Sequence, residues 1–353
     1  MNQSSVSVHH SSNAARVYRI PLELFPGLSG YAHLVFADNH IVLIDVGSGV
    51  GYSNEQLEAG FKLIRDDFGE NANWEALTHV LITHAHIDHF GGLRYVRKKT
   101  SAPLGVHKLD LRVLTSYEER LKIVAHRLTE YLIEAGVSND ERHEIMDLYL
   151  LNKHLFESVE VDFTYDEVEM RVGPLSLTHV PGHCPGQVVI QIDDILFSAD
   201  HILKDTSPHQ APEQLTMNTG LGHYLESLEK IRPLAHSVNV SLGGHEDPIV
   251  DLGKRIDEIV TMHGDRLAVV LKQLESPQSI AELSKNLFPE VEGYHVLLGL
   301  EEAGAHVEYL AQRGYLSISN LDDMQPDRAV PIIYQRRGGL LPPVMGAKAN
   351  KKN

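Results

Sequence analysis

The chain has 353 residues, 42% of them hydrophobic, and a formal net charge of −17. That length suits one large or two modest domains with ample core, and the acidic balance disfavours nucleic-acid backbones and anionic membranes as partners at long range. A single cysteine, Cys184, excludes an internal disulfide, and no apolar run reaches the ~20 residues of a membrane span, so a soluble cytoplasmic protein with no membrane partner is expected.

The opening stretch, MNQSSVSVHHSSNAAR, is polar and lacks the apolar segment of a secretory signal. Residues 1–15 read as a disordered tail, with the His9–His10 pair part of its composition. AHLVFADNHIVLIDVGSG follows as two strands around an Asp38–Asn39 turn, closed by a glycine-rich loop. NEQLEAGFKLIRDDFG has helical spacing at Leu57, Phe61 and Ile64, with Gly69 as its C-cap. LTHVLITHAH is a strand over 80–83, and PLGVHK another.

From 106 to 158 the texture changes. Leu114, Tyr117, Leu121, Val124, Leu128 and Tyr131 recur at alternating threes and fours, one face of a single long helix that Gly136 ends. Ser138 and Glu141 form a capping box that opens a second helix. The segment is a two-helix insertion. It either covers the mouth of a site, with Leu114, Tyr117, Leu121 and Tyr131 as an apolar lining, or packs on the body or on a second subunit.

Strands return in SVEVDFTY, LSLTHVPG, QVVIQIDD and ILFSAD, and a helix, YLESLEKI, precedes the strand-like SVNVSLGGHED. Two groups of strands with interspersed helices suit sheets packed in layers, helices outside, an α/β architecture over 16–253. From 254 to 325 the chain is mainly helical: RIDEIVTMHGDRLAVVLKQL, then SIAELSKNL behind a Ser279–Glu282 capping box, then a helix stopped by Gly314, then the strand YLSIS. Three helices and a strand pair in this span suggest a small winged-helix-like domain. Residues 326–353 read as a disordered C-terminal tail. The helical C-terminal domain holds twelve acidic side chains against five basic ones between 255 and 325. Phosphate binding needs clustered Lys and Arg, so it reads as a packing or dimerisation module, and nucleic acid is not an expected partner.

The chemistry concentrates in THAHIDHFGG, residues 83–92. A zinc ligand presents a lone pair at about 2.0–2.2 Å from the ion. In extended chain, residues two apart project to one face, so His84 and His86 can share an ion, while a turn beyond them aims Asp88 and His89 at a second. Gly91 and Gly92 permit close backbone approach. Four ligands do not saturate two ions, and the chain supplies more with a repeated grammar of apolar run, small residue, ligand: His183 in HVPGHCPG, Asp200 in ILFSADHIL and His245 in VSLGGHEDP.

HxHxDH followed by PGH, SAD and GGH resembles the metallo-β-lactamase-fold superfamily of metal-dependent hydrolases, over about residues 30–250 without the insertion. The resemblance implies an αββα sandwich, here with a helical insertion and a C-terminal winged-helix-like domain. LIDVGSG resembles the family's early Asp-x-Gly element, which places Asp45 in support behind the ligands. ADHILKDTSP and GLEEAGAHVEYLAQRG look like the glyoxalase II-like branch that carries a winged-helix extension. Residue by residue, the resemblance implies that His84, His86 and His183 hold one metal, that Asp88, His89 and His245 hold the other, and that Asp200 bridges both. The commonest true β-lactamases carry a cysteine where this chain has Asp200, which argues against antibiotic hydrolysis. The quorum-lactonase branch has a tyrosine soon after the bridging aspartate, absent from DHILKD. Cys184 reads as a packing substitute for a small hydroxyl residue.

Two divalent cations, zinc foremost with iron and manganese as alternatives, would ionise a bridging water, with Asp88 as the catalytic residue that orients it or shuttles its proton. The expected function is hydrolysis of a thioester or another ester-like carbonyl compound, a small-molecule substrate. Alternatives are phosphodiester or RNA cleavage at the same site, persulfide-type dioxygenation at a single iron, and a non-catalytic protein that kept its metals. His201, His209, His223 and Tyr224 follow the bridging aspartate as candidate substrate contacts. A homodimer is compatible with the sequence.

Overall fold

The computed structural model describes residues 5–151, 153–338 and 343. They divide into two compact units: residues up to 118 with 156–208 and 227–255, and residues 119–155 with 209–226 and those from 256 onward. Among the described residues no helix is long and apolar enough to cross a membrane.

The first unit is built on two sheets. One has seven strands in sequence order: β1 (Ser7–His10), β2 (Arg16–Phe25), β3 (Leu28–Ala37), β4 (His40–Ile44), β5 (His79–Leu81), β6 (Leu104–Val106) and β7 (Phe163–Thr164). Its first four strands pair antiparallel and the rest parallel. The second contains β8 (Arg171–Val172), β9 (Leu175–His179), β10 (Val188–Ile192), β11 (Ile195–Ala199) and β12 (Val240–Gly243), in the order β12-β11-β10-β9-β8. Alternating strands give each sheet one apolar face. Val17, Val35, Ile44 and Leu81 from the first sheet and Leu177, Ile190, Phe197 and Leu242 from the second form one buried core.

Strand direction decides where the loops go. β9 and β11 are each antiparallel to β10, and β12 is parallel to β11. The carboxyl ends of β9, β11 and β12 therefore lie at one edge of their sheet. β4 and β5 are parallel, so their carboxyl ends share an edge as well. The two edges are stitched together: Val188 N–H donates to the Thr83 carbonyl (2.9 Å), and Tyr31 N–H to the Gly244 carbonyl (2.9 Å).

Helix α1 (Ser53–Phe68) buries Leu57, Phe61 and Ile64 as its spacing predicts, and ends on Gly69, whose φ of 72° suits the left-handed cap. The unit also holds the one-turn helices α2 (Ile87–Phe90) and α3 (Leu93–Val96), and α4 (Lys108–Thr115). Two expectations need correction. The lead-in expected to be disordered pairs as β1 with β2, and Ser11, Ser12 and Asn13 bond the Asp193 and Asp194 carboxylates of the turn after β10. Polar composition hid a strand held by backbone pairing. The long helix expected across 114–131 is two helices, because Ser116 leaves the helical region at φ −139° and ψ 46°. α5 (Tyr117–Glu134) begins after that break. A two-helix insertion is thus three helices with α6 (Asn139–Leu150), whose Ser138–Glu141 capping box is present.

The second unit takes most of α5 and all of α6, together with α9 (Ile280–Leu287), α10 (Tyr294–Gln312) and the antiparallel pair β13 (Leu316–Ile318) and β14 (Tyr334–Arg336). α7 (Leu221–Ile231) and α8 (Leu252–Gln273) each begin or end in the first unit. Tyr131, fully buried on α5, donates its hydroxyl to the Leu300 carbonyl of α10 at 2.8 Å. The C-terminal tail expected from 326 is ordered as far as it is described: Tyr334 pairs with Gln278, and Ile332 N–H donates to the Glu134 carbonyl at 2.8 Å. Residues 339–342 and 344–353 of that tail lie outside the described residues.

Candidate metal centre

Five strand ends deliver the site. After β4 the chain turns sharply at Asp45, whose φ of 55° is rare for a residue with a side chain. One Asp45 oxygen accepts from Thr83 N–H (2.8 Å), and the other from Thr83 Oγ1 and His89 Nδ1 (each 2.8 Å). The carboxylate thus fixes the His89 tautomer, with the proton on Nδ1 and the Nε2 lone pair facing the site, the way metal-bound histidines are held. β5 runs out into His84 and His86, and α2 then turns Asp88 and His89 back towards them.

The second sheet supplies the rest. His183 sits in the loop between β9 and β10. A register shift near the end of β11, with Ala199 at φ 45°, re-aims the chain so that Asp200 points inward. His245 follows Gly243 and Gly244 at the end of β12 and is steadied by the Ser29 carbonyl, 2.7 Å from its Nδ1. Gly244 cannot carry a side chain. A Cβ there would stand 2.5 Å from Asp200 Oδ1 and 2.6 Å from His89 Cε1.

All seven side chains come together, in two groups. His84, His86 and His183 form one, Asp88, His89, Asp200 and His245 the other, and within each group one ligand atom per residue lies within 4.8 Å of every other. His84 Nε2 and His86 Nδ1 are 3.0 Å apart. His245 Nε2 is 3.3 Å from Asp88 Oδ2 and 3.4 Å from Asp200 Oδ2. Asp200 faces both groups, with Oδ1 3.3 Å from His89 Nε2 and Oδ2 3.8 Å from His183 Nε2.

The groups differ electrostatically. Burial and neighbouring imidazoles hold His84 and His86 well below the usual histidine range, so both offer lone pairs at neutral pH. Burial also opposes charge on His89 and His245, but the carboxylates outweigh it. Asp200, Asp45 and Asp88 push His89 well up, and Asp200 and Asp88 push His245 up to about 11. Burial would raise Asp88, yet His89 and His245 bring it down to about 2. The second group therefore stabilises positive charge. Buried His89 Nε2 and Asp200 Oδ1 face each other at 3.3 Å without the geometry of a hydrogen bond, and such atoms are costly without a partner. Imidazole and carboxylate donors converging at this spacing fit two divalent cations.

Three supporting residues escaped the sequence reading. Thr83 links Asp45 to His84, its Oγ1 3.1 Å from His84 Nδ1. Asp110, buried on α4, accepts from Ala85 N–H (2.9 Å) and Gly186 N–H (2.8 Å), so one carboxylate ties the His84–His86 strand end to the His183 loop. Oriented with its carbonyl oxygen towards them, buried Gln187 accepts from the N–H groups of His201 (2.7 Å) and Asp200 (3.2 Å). Asp110 and Gln187 carry no motif, since each acts on residues distant in sequence, and Thr83 lies in the motif without being a ligand type. Cys184 donates its thiol to Asp110 at 3.4 Å, and burial with Asp110 keeps its pKa well up, so the thiol stays protonated and packs.

The four candidate substrate contacts have surroundings of their own. His201 is wholly buried. His209, His223 and Tyr224 belong to the second unit. There His209 Nε2 is 2.7 Å from Glu301, His223 Nε2 is 3.1 Å from Glu213, and buried Tyr224 packs edge-on against His263.

A sequence model of the Metallo-beta-lactamase superfamily matches residues 25–245, the whole span that carries the seven side chains. The chain belongs to this superfamily. Metallo-beta-lactamase family protein TTHA1429 from Thermus thermophilus is similar over 91% of this chain and 98% of its own, with TM-score 0.70 and 21% identity. A beta-lactamase domain protein from Burkholderia ambifaria is similar over 94% of both chains, with TM-score 0.67 and 21% identity. These likenesses show the fold. Anti-Pycsar protein Apyc1 of Bacillus phage 010DV004 is 26% identical over 181 residues, 48% of this chain. The chain spans 61% of the length of that relative.

Proposed function

We propose that the chain is a dinuclear metal hydrolase that cleaves a thioester or another ester-like carbonyl compound. His84, His86 and His183 would hold one cation, Asp88, His89 and His245 the other, and Asp200 both. The observation that carries this reading is the position of Asp200, its two oxygens turned to histidines of both groups. Zinc-class cations bound there supply an acidified water and Lewis acidity towards a carbonyl oxygen.

The chain's own residues then divide the work. Asp88 stays ionised at neutral pH and accepts the proton of the attacking water at Oδ2, next to His245 Nε2. His84 and His89 are buried and form a dry floor, while His86, Asp88 and His245 are partly exposed, so substrate approaches from their side. Asp45 and Ser29 hold His89 and His245 in one tautomer each. The order of three helices and a strand pair from α8 to β14 supports a winged-helix-like reading of the C-terminal elements, and the sequence likeness to the glyoxalase II-like branch supports carbonyl over phosphodiester substrates. The long-range repulsion of a polyanion by a chain of net charge −17 favours the same choice.

The test is metal quantification on the purified full chain, paired with a panel of thioesters, lactones, aryl esters and phosphodiesters. Two divalent cations per chain and turnover of thioesters or esters are expected. One iron per chain with oxygen uptake, or turnover confined to phosphodiesters, would replace this reading.

A further inference from the structure

The second unit contains another histidine–carboxylate group, delivered by helices. Glu302 and His306 stand four residues apart on α10 and so share a face, and His263 approaches them from α8. His263 and His306 are fully buried and Glu302 is 7% exposed. One ligand atom from each lies within 4.8 Å of the other two.

The hydrogen bonds define which lone pairs are available. His306 Nδ1 is 2.7 Å from the Glu302 backbone carbonyl. A carbonyl only accepts, so Nδ1 carries the proton and Nε2 presents a lone pair. That lone pair faces His263 Nδ1 at 3.2 Å. A neutral His263 has one proton for two nitrogens. Placed on Nδ1, it bridges to His306 and leaves Nε2, buried and without a hydrogen bond among the described residues, as an unsatisfied acceptor. Placed on Nε2, it leaves two lone pairs opposed at nearly the separation that His84 and His86 show at the strand-end site. Glu302 accepts from Arg266 and from Gln210 N–H (2.8 Å), and a carboxylate with about four lone-pair sites retains capacity for a cation. A histidine anchored through its other N–H to a backbone carbonyl is the usual support of a metal ligand.

We propose that His263, Glu302 and His306 form a third metal site, for a zinc-class divalent cation, that clamps α8 to α10 within the second unit. Two imidazoles and one carboxylate are an established zinc donor set. The site shares no residue with the strand-end centre. Its burial assigns it to holding helices together. The Arg266 guanidinium on Glu302 opposes a cation, so binding here is weaker than at the strand ends, and Arg266→Gln tightens it.

The deciding experiment is an anomalous difference map, recorded at the zinc edge from crystals of the zinc-loaded full chain. A peak between His263, Glu302 and His306 is expected, and its absence overturns the proposal whatever is seen at the strand ends. Zinc per chain, measured after dialysis, should fall by one in His263→Gln and in His306→Gln. Unchanged zinc in a folded variant equally overturns the proposal. Should a variant fail to fold, the map of the unsubstituted chain decides.

Discussion

Two regions of this protein gather histidines and carboxylates, by different means. In the first unit, loops at the ends of β5, β9, β11 and β12 each contribute one or a few ligands to a site at the sheet edge, partly open to solvent, and the end of β4 supplies the supporting Asp45. In the second, two helices bring His263, Glu302 and His306 together within a buried interior. Strand ends are where backbone direction changes, and glycines such as Gly244 stand there because side chains would collide with the ligands. Such a site leaves a local trace in sequence. A helix face leaves only a spacing of four, which a helix interior shows anyway. The difference also separates roles: an exposed edge admits substrate, and a closed interior admits only what it retains.

Perturbing the two regions should separate them. The largest effect is expected from Asp200→Ala, which removes the carboxylate shared by both groups. Activity should vanish and bound metal should fall, measured by turnover and elemental analysis, while the second unit keeps its own zinc. Asp88→Ala should lower kcat by about 10²–10⁴-fold with the fold retained by circular dichroism, and unchanged turnover would remove Asp88 from the catalytic role. Asp45→Asn should weaken metal binding at the strand ends by about 10–100-fold, read by competition with a chelating dye.

The smallest effect is one of pH. Burial, with His179 stacked at 3.9 Å, brings His107 down to about 4, although Asp166 lies 3.6 Å away. An unfolded histidine titrates near 6.5, so protons bind the unfolded chain first. The stability gained by keeping His107 neutral is complete above pH 6.5 and declines as pH falls towards 4, by at most about 1.4 kcal/mol per pH unit. His107→Asn, which retains an acceptor for the α4 N-terminus, should flatten the dependence of the urea midpoint over that window. An unchanged slope would assign the acid sensitivity to other groups.

Much of the strand-end site was legible because its grammar is short: His84, His86, Asp88 and His89 lie within six residues, and His183, Asp200 and His245 each follow an apolar run. Asp110 and Gln187 were not legible, because their partners at Ala85, Gly186 and Asp200 are set by how loops meet. Nor did sequence show that His201 and Tyr224, which follow Asp200 in the chain, are fully buried. The break at Ser116 escaped because apolar spacing continued across it.

The amino-acid sequence by itself determined the elements whose stabilising contacts are local. The Ser138 and Ser279 capping boxes, the left-handed Gly69 cap and the buried faces of α1 and β10 all rest on hydrogen bonds or periodicities within a few residues. It also determined which ligand-type residues follow which strands. Tertiary structure alone decided that seven of them converge across some 160 positions, that most of α5 and all of α6 group with the C-terminal helices, and that His263 meets His306. Those outcomes depend on sheet pairing and helix packing between distant segments, and no short window of sequence records such contacts.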